Sequence, residues 1–138
     1  MRGCGGGSLF KNAIVRIPGS NFANGLTTVN LGVPCYDGVM QQHSRYCRAL
    51  EECGLTITTL GADLRYPDST FVEDTAILTP RGSILARPGA QSRQGEVAAI
   101  REAVGSFFPS TLDCRTAPTK KAYGNLPAIL PVKATPLL

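Results

Sequence analysis

The chain has 138 residues, so it forms one domain at most, and with 43% hydrophobic against 17% charged residues it can bury a core. Its net charge of +4 rests on 14 basic residues that are scattered apart from Lys120-Lys121, which argues against a nucleic-acid partner or a membrane-surface role. No apolar run approaches the ~20 residues of a membrane span, and five cysteines without a C-x-x-C pair read as reduced thiols of a cytoplasmic protein, not as a metal site or a disulfide framework.

Residues 1–9 hold an arginine and a run of glycines with no apolar stretch behind them, so they read as a flexible leader and not as a secretory signal. Ala13–Ile17 is rich in β-branched residues and stops at Pro18-Gly19, which predicts a first strand. Residues 18–36 form a long loop of the kind that often serves as a lid. From Asp37 the positions Val39, Tyr46, Cys47, Leu50 and Cys53 keep helical spacing, with Asp37 as the cap and Gly54 as the left-handed end. Cys47 and Cys53 fall on the apolar face of that helix as core residues, and His43, the only histidine, takes a structural or surface place. A second strand is expected at Leu55–Leu60, a third at Thr70–Leu78 and a fourth at Ser83–Ala86. Pro80-Arg81-Gly82 turns the last two into an antiparallel hairpin. Ser92 is the expected cap of a second helix, lined on one face by Val97, Ile100, Val104 and Phe107. This order of elements is α/β. From Pro109 prolines recur, and residues 109–138 read as an irregular tail.

The segment from Tyr66 to Leu78 stands apart, because Asp68, Glu73 and Asp74 crowd next to an apolar run that reads as a buried strand. An unpaired carboxylate is costly inside a strand. A planar cation such as a guanidinium would satisfy several of these acids at once. An edge strand whose acids face water fits equally well. Strand alternation sends Glu73 and Asp74 to opposite faces, so only one of them can contact a bound group.

Phe10–Arg16, Asn24-Gly25-Leu26-Thr27, Gln42–Tyr46, the Pro-Asp-Ser-Thr-Phe-Val-Glu-Asp run from Pro67, and Arg87-Pro88-Gly89-Ala90 fall in the order and spacing of the dimethylargininases. The chain resembles that family of guanidine-modifying enzymes, part of the pentein superfamily, from about residue 10 to residue 109. The resemblance implies ββαβ blades around a pseudo-fivefold axis, of which residues 10–108 would supply roughly two of five. It implies hydrolysis of methylated arginine to citrulline and methylamine or dimethylamine by a cysteine and a histidine, with no cofactor. It further implies that Asp74, with Glu73 beside it, faces the guanidinium. Asp68 would help hold the substrate's α-amino end, Arg93 would pair with its α-carboxylate, and Leu26 would close over it as a lid residue.

Where the family carries an acid and Gly-Gly-Asp after an Ala-Pro step, this chain has Ala117-Pro118 followed by Lys121-Ala122-Tyr123-Gly124-Asn125. A frameshift, a splice variant or a truncated gene would produce such a loss. No residue matches the family's catalytic histidine or cysteine, and nothing around Cys114 resembles the nucleophile's surroundings. The expectation is therefore a dimethylargininase-like substrate-binding part without catalysis of its own. A non-catalytic guanidinium-binding or interaction fragment and an arginine deiminase-like relative are the alternatives. Open sheet edges would favour self-association.

Overall fold

The structure is a computed structural model that describes residues 10–29 and 32–114. Its first sheet pairs β1 (Asn12–Arg16) in parallel with β2 (Thr56–Leu60), from Asn12 opposite Thr56 to Arg16 opposite Leu60. The crossover between them is α1 (Tyr36–Glu52). The second sheet has the order β3-β4-β5. In it β3 (Ala76–Thr79) and β4 (Gly82–Leu85) form an antiparallel hairpin, and α2 (Val97–Gly105) carries the chain to β5 (Thr111–Asp113), parallel to β4. The α/β character and the hairpin are as the sequence implies. The run β3-β4-α2-β5 is one ββαβ unit, and β1-α1-β2 is the same unit without its first strand.

The core gathers where α2 meets both sheets. Leu85, Val97, Ile100 and Val104 are buried together, and Ile14, Leu60, Val72, Ala76 and Phe108 pack against them. Val97, Ile100 and Val104 keep the helical stripe expected of them, but α2 ends at Gly105 and Phe107 lies beyond it, largely exposed. Phe108 fills the place instead. On α1 no residue is fully buried, and Cys53 is exposed where a core position was expected. Among the described residues no helix is long and apolar enough to cross a membrane.

Three expectations give way at element ends. Asp37 lies inside the first turn of α1, while Cys35 occupies the cap position without a side-chain bond. An acid there still complements the positive end of the helix dipole. Gly54 does take the left-handed conformation, at φ 85°. Ser92 caps nothing, since residues Gln91–Glu96 wind as a 3₁₀ turn that runs straight into α2.

The largest departure concerns Thr70–Leu78, expected as one strand. Residues 67–70 form turns, Val72–Thr75 is a 3₁₀ turn, and strand geometry begins only at Ala76. The Ser69 N–H donates to the Tyr66 carbonyl and the Phe71 N–H to the Asp68 carbonyl, and Thr75 Oγ1 donates to the Val72 carbonyl at 2.6 Å. Main-chain groups that a ladder would have used are thus satisfied locally. Beyond Pro109 the irregular reading fails at β5, which Arg101 of α2 holds through an ion pair with Asp113. The Ser83 and Thr111 hydroxyls, 2.9 Å apart, share a further hydrogen bond across β4 and β5. The leader and residues 115–138 lie outside the described residues.

Leu85 has no exposed surface, whereas Ile77 on the uncovered face of the same hairpin is nearly half exposed. Leu85→Ala is expected to cost roughly 2–5 kcal/mol and Ile77→Ala no more than about 1 kcal/mol. Urea denaturation of the two variants checks the difference.

Candidate functional site

Arg93 ties together the turns on which the predicted site residues sit. Its Nε donates to both Glu96 carboxylate oxygens at 3.1 and 3.2 Å, and its Nη2 donates to Glu96 Oε2 at 3.0 Å and to the Asp68 carbonyl at 3.3 Å. Nη1 donates to Asp74 Oδ2 at 2.8 Å. An arginine has five N–H donors, so one on Nη1 has no partner among the described residues. Hydrogen bonding to Glu96 is the largest influence on the guanidinium and, with Asp74, outweighs its desolvation, so its pKa stands above the ordinary arginine range.

Asp68 is buried and bonded elsewhere. Both of its carboxylate oxygens accept from the Leu26 N–H, each at 3.1 Å. The resemblance assigns Asp68 to a substrate's α-amino end; here its carboxylate holds the backbone of the loop that carries Leu26. Gly25 is needed for that approach, because a Cβ at this position would run into the Asp68 carboxylate. The Phe22 and Phe71 rings, 6.0 Å apart, pin the same loop to the same turn. Leu26 itself points into the open, with 63% of its surface exposed. A cleft of about 640 Å³ lies under the loop and is lined by Phe22, Leu26, Thr28, Val33, Asp68 and Phe71.

The structure therefore links Leu26, Asp68, Asp74 and Arg93 through direct contacts. Asp74 has its second oxygen unpartnered among the described residues, and its side chain is 51% exposed. Neither Asp74 nor Arg93 lines the cleft under the Leu26 loop. Glu73 lines a separate groove beside α1. Glu73 and Asp74 sit together in a 3₁₀ turn, so strand alternation does not set their directions.

Sequence reasoning missed Glu96, a buried acid that grips Arg93. The signal was the spacing of Arg93 and Glu96, three residues apart, which places opposite charges on one helical face. The one cysteine near a histidine among the described residues is Cys47, with its Sγ 3.7 Å from His43 Nδ1. Burial first and Glu51 second push the Cys47 thiol up, which is the wrong direction for a nucleophile. Among the described residues no cluster of His, Cys, Asp and Glu could hold a metal ion.

No profile of a known protein family matches the chain. A dimethylarginine dimethylaminohydrolase of Pseudomonas aeruginosa is 42% identical over 118 residues, which is 86% of this chain and 46% of the relative. One of Streptomyces coelicolor is 35% identical over 75% of this chain and 43% of its own length. The chain thus spans about half the length of these relatives. Among solved structures, the Pseudomonas aeruginosa enzyme as a cysteine-to-serine mutant complexed with citrulline matches at TM-score 0.74 and 45% identity, covering 75% of this chain and 41% of that one. A histidine-to-glycine dimethylarginine dimethylaminohydrolase in adduct with S-methyl-L-thiocitrulline matches at TM-score 0.75 and 44% identity, over 76% of this chain and 42% of that one. Unliganded AgrE shares the fold at TM-score 0.64 and 14% identity, over 72% of this chain and 15% of that one.

Arg93→Ala would strand Glu96 as an unpaired buried carboxylate, with an expected cost of about 3–5 kcal/mol. Asp74→Asn breaks a half-exposed pair, with an expected cost of about 1 kcal/mol or less. Adding Glu96→Gln to Arg93→Ala should recover most of the loss, and a double-mutant cycle by urea denaturation measures this.

Proposed function

We propose that this chain, a homologue of the dimethylarginine dimethylaminohydrolases, is the substrate-recognising part of a hydrolase that converts methylated arginine and water to citrulline and methylamine or dimethylamine. The carrying observation is the Arg93 hub, in which one cation draws Asp74, Glu96 and the Asp68 turn together and leaves an Asp74 oxygen without a partner among the described residues. A substrate guanidinium is planar and offers donors on its edges, so the open side of Asp74 suits it. Its positive charge would be held where the carbon must stay electrophilic. The remaining Nη1 donor of Arg93 suits a substrate α-carboxylate. The Leu26 loop, latched to Asp68, would close over the bound molecule and exclude water.

The relatives' solved forms include cysteine and histidine mutants, one with citrulline bound and the other in adduct with S-methyl-L-thiocitrulline. That supports a cysteine attacking the guanidinium carbon and a histidine moving protons in the complete enzyme. In this chain Cys47 and His43 do not fit those roles, so a partner segment must provide both. The ββαβ unit and its shortened counterpart would be about two of five blades, in a cytoplasmic protein. A second reading, a non-catalytic guanidinium-binding or interaction fragment, is favoured by the full engagement of the Arg93 Nε and Nη2 groups within the chain.

The purified chain is expected to release no citrulline from dimethylarginine above a protein-free blank. Residues 10–108 joined to the part of the Pseudomonas aeruginosa relative that this chain lacks should release it. In that chimera Asp74→Asn should lower kcat/KM by about 2–4 kcal/mol, chiefly through kcat. A folded chimera that is inactive, or one indifferent to Asp74→Asn, would sink the reading.

A further inference from the structure

Two acids hold Arg93, and they hold it in different ways. Glu96 is 3% exposed and takes the Nε and Nη2 donors together, as a carboxylate meets one edge of the guanidinium fork. Asp74 meets Nη1 alone, from a side chain that is half exposed. The guanidinium is planar and rigid, so a clamp on its Nε and Nη2 edge fixes the direction of Nη1 as well.

Glu96 is itself firmly seated. It ends the 3₁₀ turn Gln91–Glu96 and is followed by Val97, the first residue of the buried α2 stripe. Just before it stands Gly95, where the Tyr66 ring lies so close that a Cβ would collide with the tyrosine hydroxyl. The Tyr66 carbonyl in turn accepts from the Ser69 N–H, which makes Tyr66 part of the turn that carries Asp68. Core packing behind Glu96 and the tyrosine in front of it therefore fix the acid relative to that turn.

We propose that Glu96 is the positioning residue for carboxylate recognition, holding Arg93 so that its Nη1 selects molecules that carry an α-carboxylate. Glu96 acts through Arg93 and touches no substrate. Without the Glu96 charge, Asp74 is the anion still bonded to Arg93 among the described residues. The guanidinium would then be drawn onto the acid proposed to face the substrate's own guanidinium. The inference rests on the reading of the chain as the substrate-recognising part of a hydrolase, and it adds what sets the selection.

The test uses the purified chain and two probes, dimethylarginine and the same molecule with hydrogen in place of its carboxyl group. Titration followed by nuclear magnetic resonance reads both dissociation constants. The chain is expected to prefer dimethylarginine by at least about tenfold, the worth of one hydrogen bond between charged groups. Glu96→Gln keeps the size and one acceptor, and should cut that preference to about twofold or less. Glu96→Asp keeps the charge with a shorter reach and should retain part of the preference. Circular dichroism verifies the fold of both variants, and Glu96→Asp alone decides where Glu96→Gln does not fold. A merely structural role would weaken both probes alike, and a ratio unmoved in the folded variant would overturn the proposal. No preference in the unaltered chain, or no binding of either probe, would overturn it as well. Citrulline release by the chimera is read separately. Release with an unmoved ratio leaves the proposed function standing, whereas a moved ratio with an inactive chimera sinks that function and keeps the role of Glu96.

Discussion

Burying a guanidinium is tolerable only when its donors are nearly all met, and the described structure is organised around one that is. Arg93 is 15% exposed and reaches three separate pieces of chain: Glu96 at the start of α2, Asp74 before β3, and the carbonyl of Asp68 in the preceding turn. Glu96 is buried and would be left unsatisfied without it, while Asp74 and the Asp68 carbonyl are tied to the same cation, so the three pieces are held in one arrangement. The Asp68 turn in turn holds the Leu26 loop through the carboxylate, while its carbonyl accepts from the Phe71 N–H and from Arg93. Position of the Leu26 loop and position of Asp74 are therefore coupled through the Arg93 side chain and the Asp68 turn. A long loop of small and polar residues has little apolar surface to fix it, and this polar latch does so instead.

The same hub accounts for a local inversion of charge. The chain as a whole is positive, yet Asp74, Glu96 and the turn that carries Asp68 gather around one arginine. Glu96 is neutralised by Arg93 and buried, and Asp68 is spent on the Leu26 N–H. Of the three acids tied to this hub, Asp74 is the one with an oxygen facing outward and without a partner among the described residues.

Much of the framework was legible in the sequence because it rests on local signals. β-branched runs gave β1 and β2, helical spacing gave α1 and the buried stripe of α2, and Pro80-Arg81-Gly82 gave the hairpin. The errors share a cause. Phe71 and Val72 beside acids looked like a strand, but Pro67, Asp68 and Ser69 are turn formers whose local hydrogen bonds outcompeted a ladder. Ser92 looked like a cap, but the preceding turn winds as 3₁₀ so that Arg93 and Glu96 meet. Thr111–Asp113 is too short to read from composition, and it exists because β4 offers an edge and Arg101 offers a charge. The candidate site residues were named through the resemblance, whereas the pairing of Asp74 with Arg93 depends on a contact nineteen residues apart in sequence.

The two units allow a final step. They share a parallel pair and a crossover helix, so the same sequence rules should bury the same stripe in both. They do not: α2 buries Val97, Ile100 and Val104, while α1 leaves Tyr46 more than half exposed despite its spacing. Helix propensity cannot be the reason, since α1 is the longer of the two, with 17 residues against 9. The difference lies in what the helix covers. Ala76 of β3 packs against the buried stripe of α2, and among the described residues β1 has no such neighbour. The exposure on α1 goes with a β1 that pairs with a single strand among the described residues, and not with helix length.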